Sequence, residues 1–260
     1  KKGEIMPTKK ERRQQEIYQL LTEHDKMKTS ELAKIMKVST ETLRTDLEEL
    51  EKNKLIVREH GSARVFRGYV EPPVTLRNLE NQEEKQKLAF NAFKLIKNGE
   101  VVFIDSASTL SPGLSILKKK EDLTIVTNSL LAANECVALN LNTLFVGGFI
   151  NPNGISTYGL FATEMIDNIQ IDIAFVGTDG FKDSNGFTTV NAHEMSLKRH
   201  ILNKAKKIVL VCDHTKFEAR APYSWCRFHE IDVLVTSTLN RRQRKMVESI
   251  PTIIECELPI

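Results

Sequence analysis

The stretch from Thr29 to Arg67, TSELAKIMKVSTETLRTDLEELEKNKLIVREHGSARVFR, constrains the fold more than any other part of the chain. Leu32, Ala33, Ile35 and Met36 fall on or near one apolar face of a short helix, and Lys37-Val38 supplies a turn. Ser39 stands where a side-chain oxygen accepts from an unpaired amide at the start of a second helix. In that helix Leu43, Leu47 and Leu50 recur at helical spacing and bury one face, which leaves Thr40, Glu41, Arg44 and Thr45 outside. Leu55-Ile56-Val57 and Val65-Phe66, around His60-Gly61-Ser62-Ala63, read as a two-stranded wing. A short helix bracing a longer one with a polar outer face is the helix-turn-helix plan, whose second helix enters the DNA major groove. An ordinary helical hairpin in a larger core would share the leucine spacing. It would not explain the wing, or the position near the start of the chain ahead of a change in composition.

Ahead of this unit, Lys9 to Glu23 reads as a helix with Ile17, Leu20 and Leu21 facing in and Arg12, Arg13 and Gln14 facing out. The net charge of +3 over 260 residues is unevenly distributed. Residues 1–68 carry sixteen Lys/Arg against twelve Asp/Glu, whereas the remainder carries twenty-one against twenty-two. The basic excess therefore lies with the proposed DNA-binding segment, as phosphate contact requires. Gly68 to Asn81 breaks the pattern, and Pro72-Pro73 favours extended backbone. The expected organisation is a winged helix-turn-helix over 1–68, a linker over 69–82 and an effector-binding domain over 83–260.

In the third part, a helix from Glu83 to Lys97 precedes short β-branched runs that alternate with helical segments. The runs are Val101–Ile104, Leu123–Val126, Leu144–Val146, Ile171–Val176, Ile208–Val211 and Val233–Val235, with Ile253-Ile254 as a further edge strand. Continuous apolar strands separated by helices indicate an α/β domain with a mostly parallel sheet buried on both faces. No apolar run approaches the ~20 residues of a membrane helix, and the opening KKGEIMPTKKERRQ lacks the apolar core of a signal peptide. Cys136, Cys212, Cys226 and Cys256 show no metal-ligand spacing and read as buried free thiols. His193-Glu194 begins a zinc-protease pattern, but Leu197 stands where the second His would be. The expectation is a cytoplasmic chain with no membrane association, no metal and no cofactor.

Chemistry is expected at the strand ends, because ligands of open α/β sheets bind beyond the carboxyl ends of the strands. Successive runs lead into Asp105-Ser106-Ala107-Ser108-Thr109, Thr127-Asn128-Ser129, Gly147-Gly148, Gly177-Thr178-Asp179-Gly180 and Cys212-Asp213-His214-Thr215-Lys216. Together these five ends would make one polar crevice. Ser106 to Thr109 is the leading anion cradle, with three hydroxyls and several amides at an expected helix N-terminus. Glu194 and Lys198 share a helix face, as ligand groups or as a surface ion pair. Trp225, the lone tryptophan, reads as a packing residue.

On these residues the chain resembles the DeoR family of bacterial transcriptional regulators over nearly its whole length. The N-terminal match runs through Glu31-Leu32-Ala33, Val38 to Arg44, Asp46-Leu47, Leu50 and His60 to Ala63. The C-terminal match includes Asp105-Ser106, Val126 to Ser129, Gly147-Gly148, Ala174 to Gly177, Asp179-Gly180, Gly186, Thr188-Thr189, Glu194, Lys198-Arg199, Asp213 and Lys216-Phe217. The resemblance implies a repressor of a sugar-catabolism operon relieved by a phosphorylated sugar. It also implies a sensor domain similar to the ribose-5-phosphate isomerase and CoA-transferase group of folds. Three positions depart from the family's usual pattern. Ala107 stands where a Gly is common, which points to a different loop shape because Ala takes positive φ less readily. Thr45 stands where a second Arg is common, and Ser62 replaces the second wing-tip glycine.

The expected partners are a double-stranded DNA operator and a phosphorylated sugar, with the chain a homodimer or homotetramer, since one helix-turn-helix covers one half-site. Arg44 is expected to read a base, with Ser39, Thr40, Thr42 and Thr45 beside it. Arg12, Arg13, Lys37, Arg58, Arg64 and Arg67 are expected on the phosphate backbone. Effector contacts are expected from Asp105, Ser106, Ser108, Thr109, Thr127, Asn128, Gly147, Gly148, Gly177, Asp179, Gly180, Glu194, Lys198, Asp213 and Lys216. Two other readings stay open. One is a sugar-phosphate isomerase-like enzyme carrying a DNA-binding domain, using Asp105, Asp179, Glu194 and Lys198 with help from Asp213. The other is a regulator that senses a different class of ligand.

Overall fold

The computed structural model describes residues 8–66 and 68–257. The chain divides between Pro72 and Pro73 into two compact units. The first comprises α1 (Lys9–His24), β1 (Lys26–Lys28), α2 (Thr29–Met36), α3 (Thr40–Lys52), β2 (Ile56–Glu59) and β3 (Ser62–Val65). Thr8 caps α1 in a reciprocal box with Glu11. Ile17, Leu21, Leu32, Leu43, Leu47 and Leu50 meet in the core. Ile35, expected on the apolar face of α2, is instead 48% exposed, because the short helix buries only the stripe led by Leu32 and Ala33. Lys37 takes the left-handed conformation (φ +51°) and donates its amide back to α2, which turns the chain toward α3.

The wing is a three-stranded sheet in the order β1-β3-β2, one strand more than expected. Its hairpin loop is His60-Gly61, and Gly61 alone carries the positive φ the turn needs (+69°). Ser62 therefore has no need of a glycine's freedom and pairs with Lys28 in the sheet.

The second unit begins with α4 (Val74–Arg77) and α5 (Gln82–Phe93). Val74 and Leu76 are buried, so the span expected as a 69–82 linker contains a packed helix. There follow β4 (Val101–Ile104), a 3₁₀ helix (Ser111–Lys119), β5 (Thr124–Thr127), α6 (Leu130–Ala138), β6 (Asn142–Phe145), β7 (Phe149–Asn151), β8 (Ser156–Tyr158) and α7 (Leu160–Asp167). The remainder is β9 (Ile173–Val176), β10 (Gly186–Thr189), α8 (Ala192–Lys204), β11 (Ile208–Val211), β12 (Tyr223–Arg227), β13 (Val233–Ser237), α9 (Arg241–Met246) and β14 (Thr252–Cys256).

Seven strands form one parallel sheet in the order β14-β13-β11-β9-β4-β5-β6. Alternate residues of each strand feed two apolar layers. Val102 and Ile104 join Leu88, Phe93 and Leu114 on one face, and Phe103 joins Ile166, Leu197 and Ile201 on the other. Phe93 and Phe175 meet edge to face at 4.9 Å. The chain lays down β4, β5 and β6 in one direction, then returns to place β9, β11, β13 and β14 on the other side of β4. The loops leaving β4 and β9 therefore diverge, which opens a crevice at the switch point. Among the described residues no helix is long and apolar enough to cross a membrane.

Candidate functional site

The first candidate surface is the exposed side of α3 with the wing. Ser39 caps α3 by accepting from the Thr42 amide at 3.1 Å, and its hydroxyl also meets that of Thr42 at 2.9 Å. Thr40 and Arg44 line a groove between α3, the start of α2 and the wing, together with Arg58 and Gly61. The Thr45 hydroxyl donates to the Glu41 carbonyl within its own helix. Arg44 is bracketed by Glu41 at 2.7 Å and Glu48 at 3.1 Å. Arg58 pairs with Glu51 at 2.7 Å, and Arg64 with Glu59 at 2.9 Å. Arg64, with Lys26, holds the Glu59 carboxyl down to about 2. Arg12 and Lys37 are exposed and flank one hollow.

Arg13 is a correction. Its guanidinium grips the fully buried Asp46 with contacts of 2.5 and 3.0 Å, so it ties α1 to α3 instead of facing outward. A carboxylate on the buried stripe of α3 needs such a partner. The aspartate amid the leucines was the sequence signal for this pair. Arg67 lies outside the described residues.

The second candidate is the crevice at the switch point. It is lined by Arg77, Asp105, Ser106, Ala107, Ser108, Thr109, Gly177, Thr178, Asp179, Glu194, Lys198 and Lys216. Asp105 organises the floor. Its Oδ1 accepts from the Ser106 amide at 2.9 Å and its Oδ2 from the Gly177 amide at 3.0 Å, which ties the two diverging loops together. Lys198 of α8 forms an ion pair with Asp105 and donates to the Gly177 carbonyl at 3.0 Å. Both charged groups are buried, and Lys198 lies 5.5 Å from the ring centre of buried Trp225. Burial opposes the charge on Lys198, but Asp105 and Glu194 outweigh it and hold its pKa above the ordinary value.

Gly177 is required by contact: a Cβ there would collide with Cβ of Ala107. Ala107 has no positive φ, so its methyl group packs as the cradle's wall without strain. The segment from Ser106 to Leu110 is a turn, and the following helix is 3₁₀ and starts only at Ser111. Any anion would thus meet turn amides and not a helix terminus. Among the described residues, the amides of Ala107, Ser108 and Thr109 and the hydroxyls of Ser106, Ser108 and Thr109 have no protein acceptor.

Opposite stand two carboxylates. Asp179 accepts from the Thr189 hydroxyl and the Val190 amide, each at 2.9 Å, and Glu194 lies 3.3 Å from the same hydroxyl. Burial raises the pKa of Asp179, and the charges of Arg77 and Lys216 reverse that and hold it below its ordinary value.

Six expected contacts lie elsewhere. Thr127 donates to the Ile104 carbonyl at 2.7 Å and Asn128 to that of Thr157 at 3.2 Å, so both serve the fold. Gly147 and Gly148 follow β6, an edge strand two places from β4, and Gly148 backs tightly onto Tyr158. Gly180 abuts the Ala219 carbonyl. Asp213 is buried and caps the turn before Lys216 by accepting from the Thr215 amide at 3.0 Å. The crevice draws only on the ends of β4, β9 and β11, with α4 and α8. Arg77 and Thr178 were missed. Thr178 carried its signal in the loop after β9, whereas Arg77 sat in a span without strand or helix periodicity.

Residues 13–67 match the DeoR-like helix-turn-helix domain and residues 80–238 the DeoR C terminal sensor domain. The chain belongs to the DeoR family of transcriptional regulators. It is 32% identical to the HTH-type transcriptional regulator GolR of Listeria innocua, over 86% of this chain and 89% of that one. It is 29% identical to the glycerol-3-phosphate regulon repressor of Escherichia coli, over 88% and 91%. Among solved structures it is similar to ribose 5-phosphate isomerase A of Methanocaldococcus jannaschii, at 18% identity and a TM-score of 0.39, over 53% of this chain and 55% of that one.

Proposed function

We propose that this chain represses a sugar-catabolism operon and that a phosphorylated sugar in the β4–β9 crevice modulates its hold on the operator. The observation that carries this reading is the pairing of two chemistries in one crevice. The amides of 107–109 and the hydroxyls of Ser106, Ser108 and Thr109, without a protein acceptor among the described residues and beside Arg77 and Lys216, suit a phosphate. Asp179 and Glu194 suit the hydroxyls of a sugar, which donate to carboxylates. The name of one relative, a glycerol-3-phosphate regulon repressor, supports a phosphorylated ligand.

In this reading Arg44 contacts a base, Thr40 and Thr42 lie beside it, and Arg12, Lys37, Arg58 and Arg64 hold phosphates. The enzymatic reading has less support, because Asp105 and Lys198 neutralise each other and both are tied into the floor. A second copy is proposed to complete the operator grip. Phe149, Ile150, Leu160 and Phe161, each more than half exposed on the sensor unit, give it an apolar surface to cover.

The test is DNA binding by fluorescence anisotropy on the gene's own upstream fragment, with a panel of sugar phosphates and their unphosphorylated counterparts. Salt-sensitive binding reversed by one phosphorylated sugar alone is the expected result. Binding that responds equally to the unphosphorylated sugar would reject the phosphate assignment.

A further inference from the structure

Arg77 enters the crevice from a helix of only four residues that is held at both ends. At its start the Val74 amide donates to the Asn153 carbonyl at 2.7 Å. The Asn153 amide donates to Asn151 Oδ1 at 3.1 Å, and Asn151 Nδ2 reaches Glu194 Oε1 at 3.4 Å. At its end, buried Lys85 donates its Nζ to the carbonyl of Arg77 itself. Lys85 in turn feels Asp213 and Lys216, next to the crevice. Both ends of α4 thus rest on residues linked to crevice charges. α4 is also the first element of the sensor unit, beginning at Val74, directly after the division between Pro72 and Pro73.

We propose that Arg77 is a direct ligand of the effector's phosphate, and that its capture fixes α4, through which occupancy is passed along the chain to the DNA-binding unit. This rests on the phosphorylated-ligand reading above. Arg77 lines the same crevice as Asp179, and its charge favours ionisation of that carboxyl. A phosphate offers a planar donor fork two oxygens and more charge than one carboxylate does, so occupancy redirects the side chain. That difference between empty and filled states is what a switch requires. A single-turn helix is short enough for one side chain to bias its position.

The test uses the full chain with inorganic phosphate as the probe. Isothermal titration of wild type, Arg77→Ala and Arg77→Lys measures affinity, and hydrogen exchange follows residues 76–78 and 106–109. Arg77→Ala is expected to bind phosphate at least tenfold more weakly, with Arg77→Lys between. Phosphate is expected to protect both segments in wild type, but only 106–109 in saturated Arg77→Ala. Thermal melts establish that the variants are folded, and Arg77→Lys, which keeps the charge, carries the test if the alanine variant is not. Unchanged affinity in Arg77→Ala overturns the ligand role. Wild-type binding without protection at 76–78 overturns the transmission role. A wild type that grips DNA but binds no phosphate rejects the phosphorylated-ligand reading, and this inference with it.

Discussion

On the recognition face of the first unit, Arg44, Arg58 and Arg64 each rest against a glutamate at the surface. In the crevice of the second, an ion pair between Asp105 and Lys198 lies buried in the floor, and among the described residues the amides of 107–109 and the hydroxyls of Ser106, Ser108 and Thr109 have no protein acceptor. In the function proposed above both places meet phosphate oxygens, and they are prepared for them differently. Exposed ion pairs are weak and exchange readily, so on DNA phosphates and bases would compete with Glu41, Glu48, Glu51 and Glu59 for the arginines. Such a surface would bind through substitution, and its affinity would stay moderate on any DNA that lacks the right base contacts. In the crevice the turn amides from 107 to 109 are backbone donors already in place, which would favour affinity for one small ligand, with Arg77 the side chain that rearranges.

Removing the floor pair tests the second half of this contrast and should have the largest effect. Asp105→Ala strands the buried Lys198 ammonium and should cost about 3–5 kcal/mol of stability in urea unfolding. A loss below about 1 kcal/mol would mean that water already reaches the pair and the floor is not rigid.

On the other surface, Arg44→Ala should lose on the order of ten- to a hundredfold in discrimination at one base position, read by anisotropy on operator variants. An equal loss on every sequence would make Arg44 a phosphate contact. Freeing that arginine sharpens the comparison from the opposite side. The double change Glu41→Gln and Glu48→Gln should raise affinity for random DNA by about two- to threefold and steepen its salt dependence. No change in the salt slope would show that the glutamates do not restrain the arginine.

The smallest effect expected is in the pH dependence beside the crevice. Burial pushes Lys85 down to about 8. The folded chain therefore holds fewer protons than the unfolded one between that value and about 10.5, and this group makes stability rise with pH across the window. His214 behaves oppositely. Its hydrogen bond to Glu84 raises its pKa, so its contribution is complete below about 6.5 and fades as pH climbs through the raised value. Melting temperatures of wild type and Lys85→Met should differ by a few degrees at most, with the upward limb absent from the variant.

Much of the fold was legible because buried parallel strands are short apolar runs in the sequence. Val101–Ile104 and Ile208–Val211 were delimited by their residues alone, and Ile253-Ile254 did mark an edge strand. The β7–β8 hairpin and β1 were not, since three-residue strands show no usable alternation. The β10–β12 pair joins residues too far apart in sequence for any local pattern to announce. In the site, the cradle from Ser106 to Thr109 carried its hydroxyls openly. Which of five polar strand ends would converge depended on where the strand order reverses, which no single segment records. Arg77 was hidden by two prolines that made its surroundings look like a tether.

Trp225 is the chain's single tryptophan, and its indole lies under the Lys198 ammonium with a buried Nε1 that has no partner among the described residues. Its emission should therefore respond to the position of the Lys198 charge. A ligand that draws Lys198 even slightly from its place would alter that glow, which would make the indole an optical gauge of the crevice, readable in dilute solution without a label.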